Sequence, residues 1–193
     1  MTSGPIVATV ACVVCGRTHP DRDQCGSEMA RKVADVLAEK RGILLDVSMG
    51  GEPQARSVTL REMGASPLTV PWPLPDACVH TAVVTHVLEY LEPAVVFAWW
   101  DELWRVMQPQ GIVYCSGPYG GDESWAWASD PLHRVRVIEQ TFLWLDARTE
   151  NWKTLHGTVG REQPKPWHVH LCNRVPAFNG SVGYNTTLQK VVL

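Results

Sequence analysis

Residues 79–115, VHTAVVTHVLEYLEPAVVFAWWDELWRVMQPQGIVYC, decide how this chain is read. Val79–Val84 is a short apolar run rich in β-branched residues, the pattern of a buried strand. Thr85–Tyr90 follows as one turn of helix. Pro93 suits the first turn of a longer helix, because the N–H it lacks would have no helical partner there. Val95, Val96, Trp99, Trp100, Leu103, Trp104 and Met107 then recur at helical spacing and form one broad apolar stripe. Pro109-Gln110-Gly111 ends this helix, and Ile112–Cys115 reads as another buried strand. A strand–helix–strand unit with apolar strands is the repeating piece of a parallel sheet covered by helices.

Working towards the N-terminus, Gly42–Val47 is a further apolar run that reads as a strand. Before it, Ser27 fits a helix N-cap and Gly42 a helix stop, with Met29, Val33, Val36 and Leu37 at helical spacing between them. After it, Ser48–Pro53 is a turn, residues 53–63 are expected to be helical up to Gly64, and Ala65–Val70 to be a short strand. Pro71-Trp72-Pro73-Leu74-Pro75-Asp76 excludes regular structure, because alternate prolines remove backbone donors and fix φ. Towards the C-terminus, residues 116–134 are expected as a loop carrying Gly117, Gly120 and Gly121, and Val135–Ala147 as a helix. Two or three alternating segments follow, the last Thr186–Leu193. The expected fold is α/β: a mostly parallel sheet flanked by helices, with an antiparallel C-terminal edge.

A chain of 193 residues with 45% hydrophobic and 19% charged residues has the make-up of one ordered domain. Residues 1–26 form a Cys-rich arm ahead of a domain over 27–193. The net charge of -3 gives no global attraction to nucleic acid. No apolar run is long enough to span a bilayer. Without a secretory signal, a cytoplasmic location with reduced thiols is the expectation. Nine Trp against three Phe point to an aromatic core, a stacking site, or a Trp-rich surface for a protein partner or self-association.

Four segments resemble the class I S-adenosylmethionine-dependent methyltransferases, in particular the small type-11-like enzymes common in phage and bacterial genomes. Leu44-Leu45-Asp46-Val47-Ser48-Met49-Gly50-Gly51 is similar to the family's first strand and glycine turn. Pro71–Val79 is similar to the segment entering its fourth strand. His86–Leu91 with Asp101–Gly111 resembles its "VLEHL … ELxRVLKPGG" pair, and Asp130-Pro131-Leu132-His133-Arg134 its loop after the fifth strand. The resemblance implies a Rossmann-like fold that binds S-adenosylmethionine beyond the carboxyl ends of the strands. It also implies methyl transfer to an unidentified acceptor.

On that resemblance Asp46, Ser48, Gly50, Gly51, Thr85 and His86 are the candidate cofactor-binding residues. His86, Asp130 and His133 are the candidate catalytic ones, with His133 as general base or substrate hydrogen-bonder. Each has a plainer reading. Asp46 suits a strand-end carboxylate capping the next turn, His86 and Glu89 a hydrogen-bonded helix start, and Asp130 and His133 a loop hinge. Trp125 and Trp127 suit a substrate-facing lid or a cover for the sheet's end. The chain departs from the family at Ser48, where glycine is usual. It departs further between Val47 and Pro71, where one helix and one short strand leave no room for a second strand with its ribose-binding acid. Glu62 then reads as a solvated helix residue, Glu52 as a substitute, and cofactor binding as weak. The competing reading is a non-catalytic binding or assembly module, phage accessory or virion-associated, that kept the sheet and lost the cofactor.

Cys12, Cys15, His19 and Cys25 form C-x2-C-x3-H-x5-C, a spacing near that of a zinc knuckle. Zinc at these four residues is the expectation, against an incidental turn. His168 and His170 alternate and would share one face of a strand. Cys78, Cys115 and Cys172 lie in apolar contexts and read as small core residues.

Overall fold

A computed structural model describes residues 10–11, 18–19, 42–49, 53–54, 57–121, 125–159, 163–176 and 181–192. Strands β1 (Val10–Ala11) and β2 (Thr18–His19) pair antiparallel with each other. The main sheet contains β3 (Ile43–Asp46), β4 (Val58–Thr59), β5 (Val79–Thr85), β6 (Met107–Pro118), β7 (Trp167–Pro176) and β8 (Val182–Lys190). Their order across the sheet is β4-β3-β5-β6-β8-β7. The pairs β4–β3, β3–β5 and β5–β6 are parallel, and β8 and β7 complete the sheet as an antiparallel edge. The helices are α1 (Val96–Val106), α2 (Trp125–Ala128), α3 (Glu139–Leu143) and α4 (Glu150–Val159).

The three strands expected from the sequence are neighbours. Leu45 lies beside Ala82, and Ala82 beside Val113. Helix α1 buries Trp99, Trp100, Leu103 and Val106, as its stripe requires. A short 3-10 turn, Pro93–Val95, leads into it. Trp72, Trp99, Trp100 and Trp167 make successive edge-to-face contacts with centroids 5.2–5.9 Å apart, and Trp100 reaches Phe142 at 6.3 Å. Such pairs add about 0.5–1.5 kcal/mol each beyond the area they bury. Trp104, Trp127, Trp144 and Trp152 are half-buried.

The Pro-rich segment is held by a clamp on α1. Glu102 Oε1 accepts from the Trp72 N–H at 2.6 Å and from Arg105 at 2.7 Å. Arg105 also donates to the carbonyls of Leu74 and Trp72 and to Asp76. Burial pushes the Glu102 carboxyl up, but these hydrogen bonds outweigh it and hold the group below the usual range. The clamp fixes where the chain enters β5, and so where β5 delivers Thr85 and His86.

The structure corrects five expectations. The described residues of 53–63 form no helix and 65–70 no strand; Leu60–Gly64 and Pro67–Val70 are turns and bends. A Thr59–Glu62 box closes the first of these turns: Glu62 Oε2 accepts from Thr59 N and Oγ1, and Thr59 Oγ1 accepts from Glu62 N. The second strand is not missing. It is β4, two residues long, with Thr59 beside Asp46. The expected helix over 135–147 is confined to Glu139–Leu143, because Ile138 and Thr141 cap its start and Asp146 organises a turn after it. Helix α1 ends at Val106, and Pro109-Gln110-Gly111 lies inside β6 instead, where Gln110 takes φ 65 and the register with β5 shifts.

Cys78 and Cys115 are buried and Cys172 half-buried, as free thiols. A register shift at His170 breaks the expected alternation with His168. Cys12, Cys15 and Cys25, and the expected helix from Ser27, lie outside the described residues. Of the expected zinc ligands only His19, at the end of β2, lies within them. No group of three or more potential metal ligands occurs among the described residues. No helix among them is long and apolar enough to cross a membrane.

Candidate active site

The carboxyl ends of β3 and β5 lie side by side and are stitched together beyond the last sheet pair. Val47 N donates to Val83 O at 2.8 Å, and Met49 N to Thr85 O at 3.1 Å. Asp46, almost wholly buried, turns its carboxylate onto the loop that leaves β3. Its Oδ1 accepts from Ser48 N at 2.9 Å and its Oδ2 from Gln54 N at 3.0 Å. The loop-capping reading of Asp46 is therefore the one the geometry carries. Ser48 sits within that cap; Gly50, Gly51 and Glu52 lie outside the described residues.

Two recesses open at this edge of the sheet. The smaller, about 50 Å³, lies between the ends of β3 and β4 and is lined by Asp46, Ser48, Thr59 and Arg61. Arg61 donates to Met49 O at 3.0 Å across it. Glu62 lies beside it in the turn after β4, exposed and held by Thr59. The larger recess is an open cleft of about 960 Å³ beyond the end of β5. Met49, Leu68, Tyr90 and Leu132 give it apolar walls, Thr85 and His86 its floor, and an Arg134–Glu92 ion pair of 2.6 Å its rim.

His86 is the first residue after β5 and has φ 54, a left-handed backbone that a non-glycine residue adopts only at a cost. Its N–H is bonded to Ser116 O, which anchors this conformation to β6. The imidazole is 57% exposed, and its Nδ1 lies 2.9 Å from Oε1 of a fully buried Glu89. That hydrogen bond raises the pKa of His86 above the ordinary value, against the lowering effect of its partial burial. Glu89 Oε2 has no hydrogen-bond partner among the described residues. It faces Gly117, where a Cβ would stand 3.2 Å from this oxygen and 3.1 Å from Tyr184 Oη, so a side chain here would need these neighbours to give by a few tenths of an ångström.

The other candidates are placed differently. His133 is buried, and its Nδ1 lies 2.8 Å from Trp127 O. Its ring packs edge-on against Tyr90 at 4.9 Å. Asp130 accepts from Leu132 N and from Tyr90 Oη, and these bonds hold its carboxyl below the usual range. Burial and the bond to Asp130 push the Tyr90 phenol up to about 12. Neither Asp130 nor His133 is among the described residues that line the larger cleft. Trp127 is half-buried under the Arg136 guanidinium and donates to Val135 O, so it braces the loop. The side chain of Trp125 lies outside the described residues. Glu62, expected as a solvated helix residue, is exposed but lies in a turn closed by the Thr59-x-x-Glu62 box, whose spacing is visible in the sequence.

No protein-family model matches the chain, and no curated protein sequence matches it. Among solved structures, it is similar to the Burkholderia thailandensis 1,6-didemethyltoxoflavin-N1-methyltransferase with bound 1,6-didemethyltoxoflavin and S-adenosylhomocysteine. That likeness has a TM-score of 0.50 at 12% identity, over 89% of this chain and 82% of the other. A variant 16S rRNA (adenine(1408)-N(1))-methyltransferase with cosubstrate S-adenosylmethionine from Catenulisporales acidiphilia gives 0.48 at 14% identity, over 93% and 96%. Identities this low speak to the fold alone, and the first likeness carries that argument. Its agreement with the sheet order, the parallel half and the antiparallel edge gives the conclusion: this chain has the fold of the class I S-adenosylmethionine-dependent methyltransferases.

Proposed function

We propose that this chain binds S-adenosylmethionine across the carboxyl ends of β3, β4 and β5 and transfers its methyl group to a small-molecule acceptor in the larger cleft. The observation that carries the reading is that cleft: about 960 Å³, open at the end of β5, with mostly apolar walls and a few convergent polar groups. The residues fit the ligand. The Asp46-capped loop sets the backbone wall at β3, with Ser48 within it. Thr85 and His86 form the opposite wall. Glu62 is the carboxylate nearest the end of the second strand, with only Oε2 engaged by Thr59 among the described residues. In this reading its Oε1 accepts from a ribose hydroxyl.

S-adenosylmethionine, when bound, supplies a methyl group already activated on a sulfonium, so most of the protein's contribution is positioning. Met49 and Leu68 line the acceptor side with apolar surface. The Asp130–His133 hinge holds Leu132 and Arg134 over the opening. Calorimetric titration with S-adenosylmethionine and S-adenosylhomocysteine tests the reading. It expects saturable binding with a dissociation constant below about 1 mM, the equivalent of about 4 kcal/mol. Absence of heat up to millimolar ligand contradicts it.

A further inference from the structure

We infer that His86 and Glu89 form a base dyad, with His86 Nε2 as the group that removes the acceptor's proton and Glu89 as its positioning residue. The acceptor it selects is a small, flat, uncharged molecule with a weakly acidic hydroxyl or ring N–H. This inference rests on the methyl-transfer reading and names the acceptor class for that cleft.

Four observations carry it. The imidazole stands at the floor of the cleft, with Nδ1 fixed by Glu89 and no partner for Nε2 among the described residues. With the Nδ1 proton donated to Glu89, the Nε2 lone pair points away from the protein, which is the tautomer a base needs. Glu89 is fully buried, yet one of its oxygens has no hydrogen bond among the described residues. A carboxylate in that position costs stability. A charge forming on the imidazole beside it offsets that cost, as when the imidazole takes up a proton. The backbone of His86 is held left-handed, so the ring's position is set by the fold at some expense. The remaining charged groups of the cleft, Arg134 and Glu92, neutralise each other at the rim. Asp130 is engaged by Tyr90 and Leu132.

The lining then selects the acceptor. Met49, Leu68, Tyr90 and Leu132 favour a flat apolar body. Among the described residues, no free carboxylate lines the cleft for an ammonium group, and no free cation for an anion. An imidazole strengthened by a carboxylate suits protons of moderate acidity, those of phenols and ring N–H groups. The acceptor's proton passes to Nε2, and its freed electron pair bonds to the methyl carbon. The carbon–sulfur bond breaks with its electrons returning to sulfur, leaving a neutral thioether and an imidazolium paired with Glu89.

The test uses 4-nitrophenol as the probe acid, because its ionised form absorbs at longer wavelength, with and without S-adenosylhomocysteine. Below the probe's own ionisation midpoint, the wild-type protein should raise the ionised fraction of bound probe by roughly tenfold, one pKa unit. Glu89→Gln keeps the acceptor for the His86 N–H but removes the charge, and should abolish that rise. Glu89→Asp should restore part of it, and His86→Gln none. In parallel, NMR titration of the His86 ring should show the Nδ1–H tautomer with a midpoint that falls in Glu89→Gln. Probe that stays neutral on the wild type, or ionises equally on Glu89→Gln, overturns the dyad. If S-adenosylhomocysteine still binds in that case, the methyl-transfer reading stands. Probe ionisation without S-adenosylhomocysteine binding supports the dyad and removes the methyl-transfer reading instead.

Discussion

Two buried carboxylates stand at neighbouring strand ends and are treated in opposite ways. At the end of β3, both oxygens of Asp46 are matched by backbone N–H groups of the loop they close. Near the end of β5, Glu89 holds one imidazole and leaves its other oxygen unmatched. The first arrangement is what a carboxylate does when its task is to fix a chain. The second leaves a buried carboxyl oxygen unmatched, among the described residues, beside a titratable ring that faces a cleft. Perturbed, incompletely satisfied groups of that kind collect where chemistry is done. The difference separates a residue that shapes the site from a pair proposed to act in it.

Asp46→Ala probes the first region and should have the largest effect. It removes two charge-assisted hydrogen bonds, each worth about 1.5–3 kcal/mol, and leaves two donors without their acceptor. A loss of about 3 kcal/mol in a denaturant titration is expected, together with loss of S-adenosylhomocysteine binding. An unchanged midpoint would break the structural assignment of Asp46. Glu62→Ala lies on an exposed turn and should leave stability nearly unchanged, yet weaken S-adenosylhomocysteine roughly tenfold, about 1.4 kcal/mol. Equal affinity in wild type and variant would remove Glu62 from the site.

Glu89→Gln sharpens the comparison from the other side. Because it removes a buried charge and keeps the bond from His86, its stability should stay within about 1 kcal/mol of wild type. A loss as large as that of Asp46→Ala would show that Glu89 also serves mainly to hold the fold. The smallest effect is pH dependence. The pKa of His86 is raised in the folded state by its bond to Glu89. Its contribution to stability is therefore complete below the unfolded value near 6.5 and is lost as pH rises through the higher folded value. Stability should fall slightly across that window in wild type and not in Glu89→Gln. The effect is small because the ring is half exposed to water. The same slope in both proteins would detach His86 from Glu89.

The sequence made the middle of the sheet legible and its rim illegible. The stripe on α1 and the apolar runs of β3, β5 and β6 are read correctly because burial on a sheet imposes their periodicity over whole elements. Strand β4 escaped because two residues carry no period. Val58 and Thr59 are extended by pairing with Leu45 and Asp46, and the Thr59–Glu62 box stops a helix that the local spacing favoured. The helix over 135–147 broke for a similar reason, as Thr141 caps at Ile138 and Asp146 binds Arg148 N. In the site, resemblance located Thr85 and His86 at a strand end. The left-handed backbone of His86 and the burial of Glu89 depend on Ser116 and Gly117 of a strand some thirty residues later, and no local pattern announces them. The Glu102–Arg105 pair shows the converse: a motif read by resemblance whose work is holding the Pro-rich segment.

A crystal structure of the chain grown with S-adenosylhomocysteine tests the central claim most directly. The account predicts the ligand across the ends of β3 and β5, its ribose within hydrogen-bond reach of Glu62 and its sulfur facing the cleft floored by His86. Ligand bound elsewhere, or a ribose held by other residues with Glu62 turned away and His86 Nε2 covered, would contradict it.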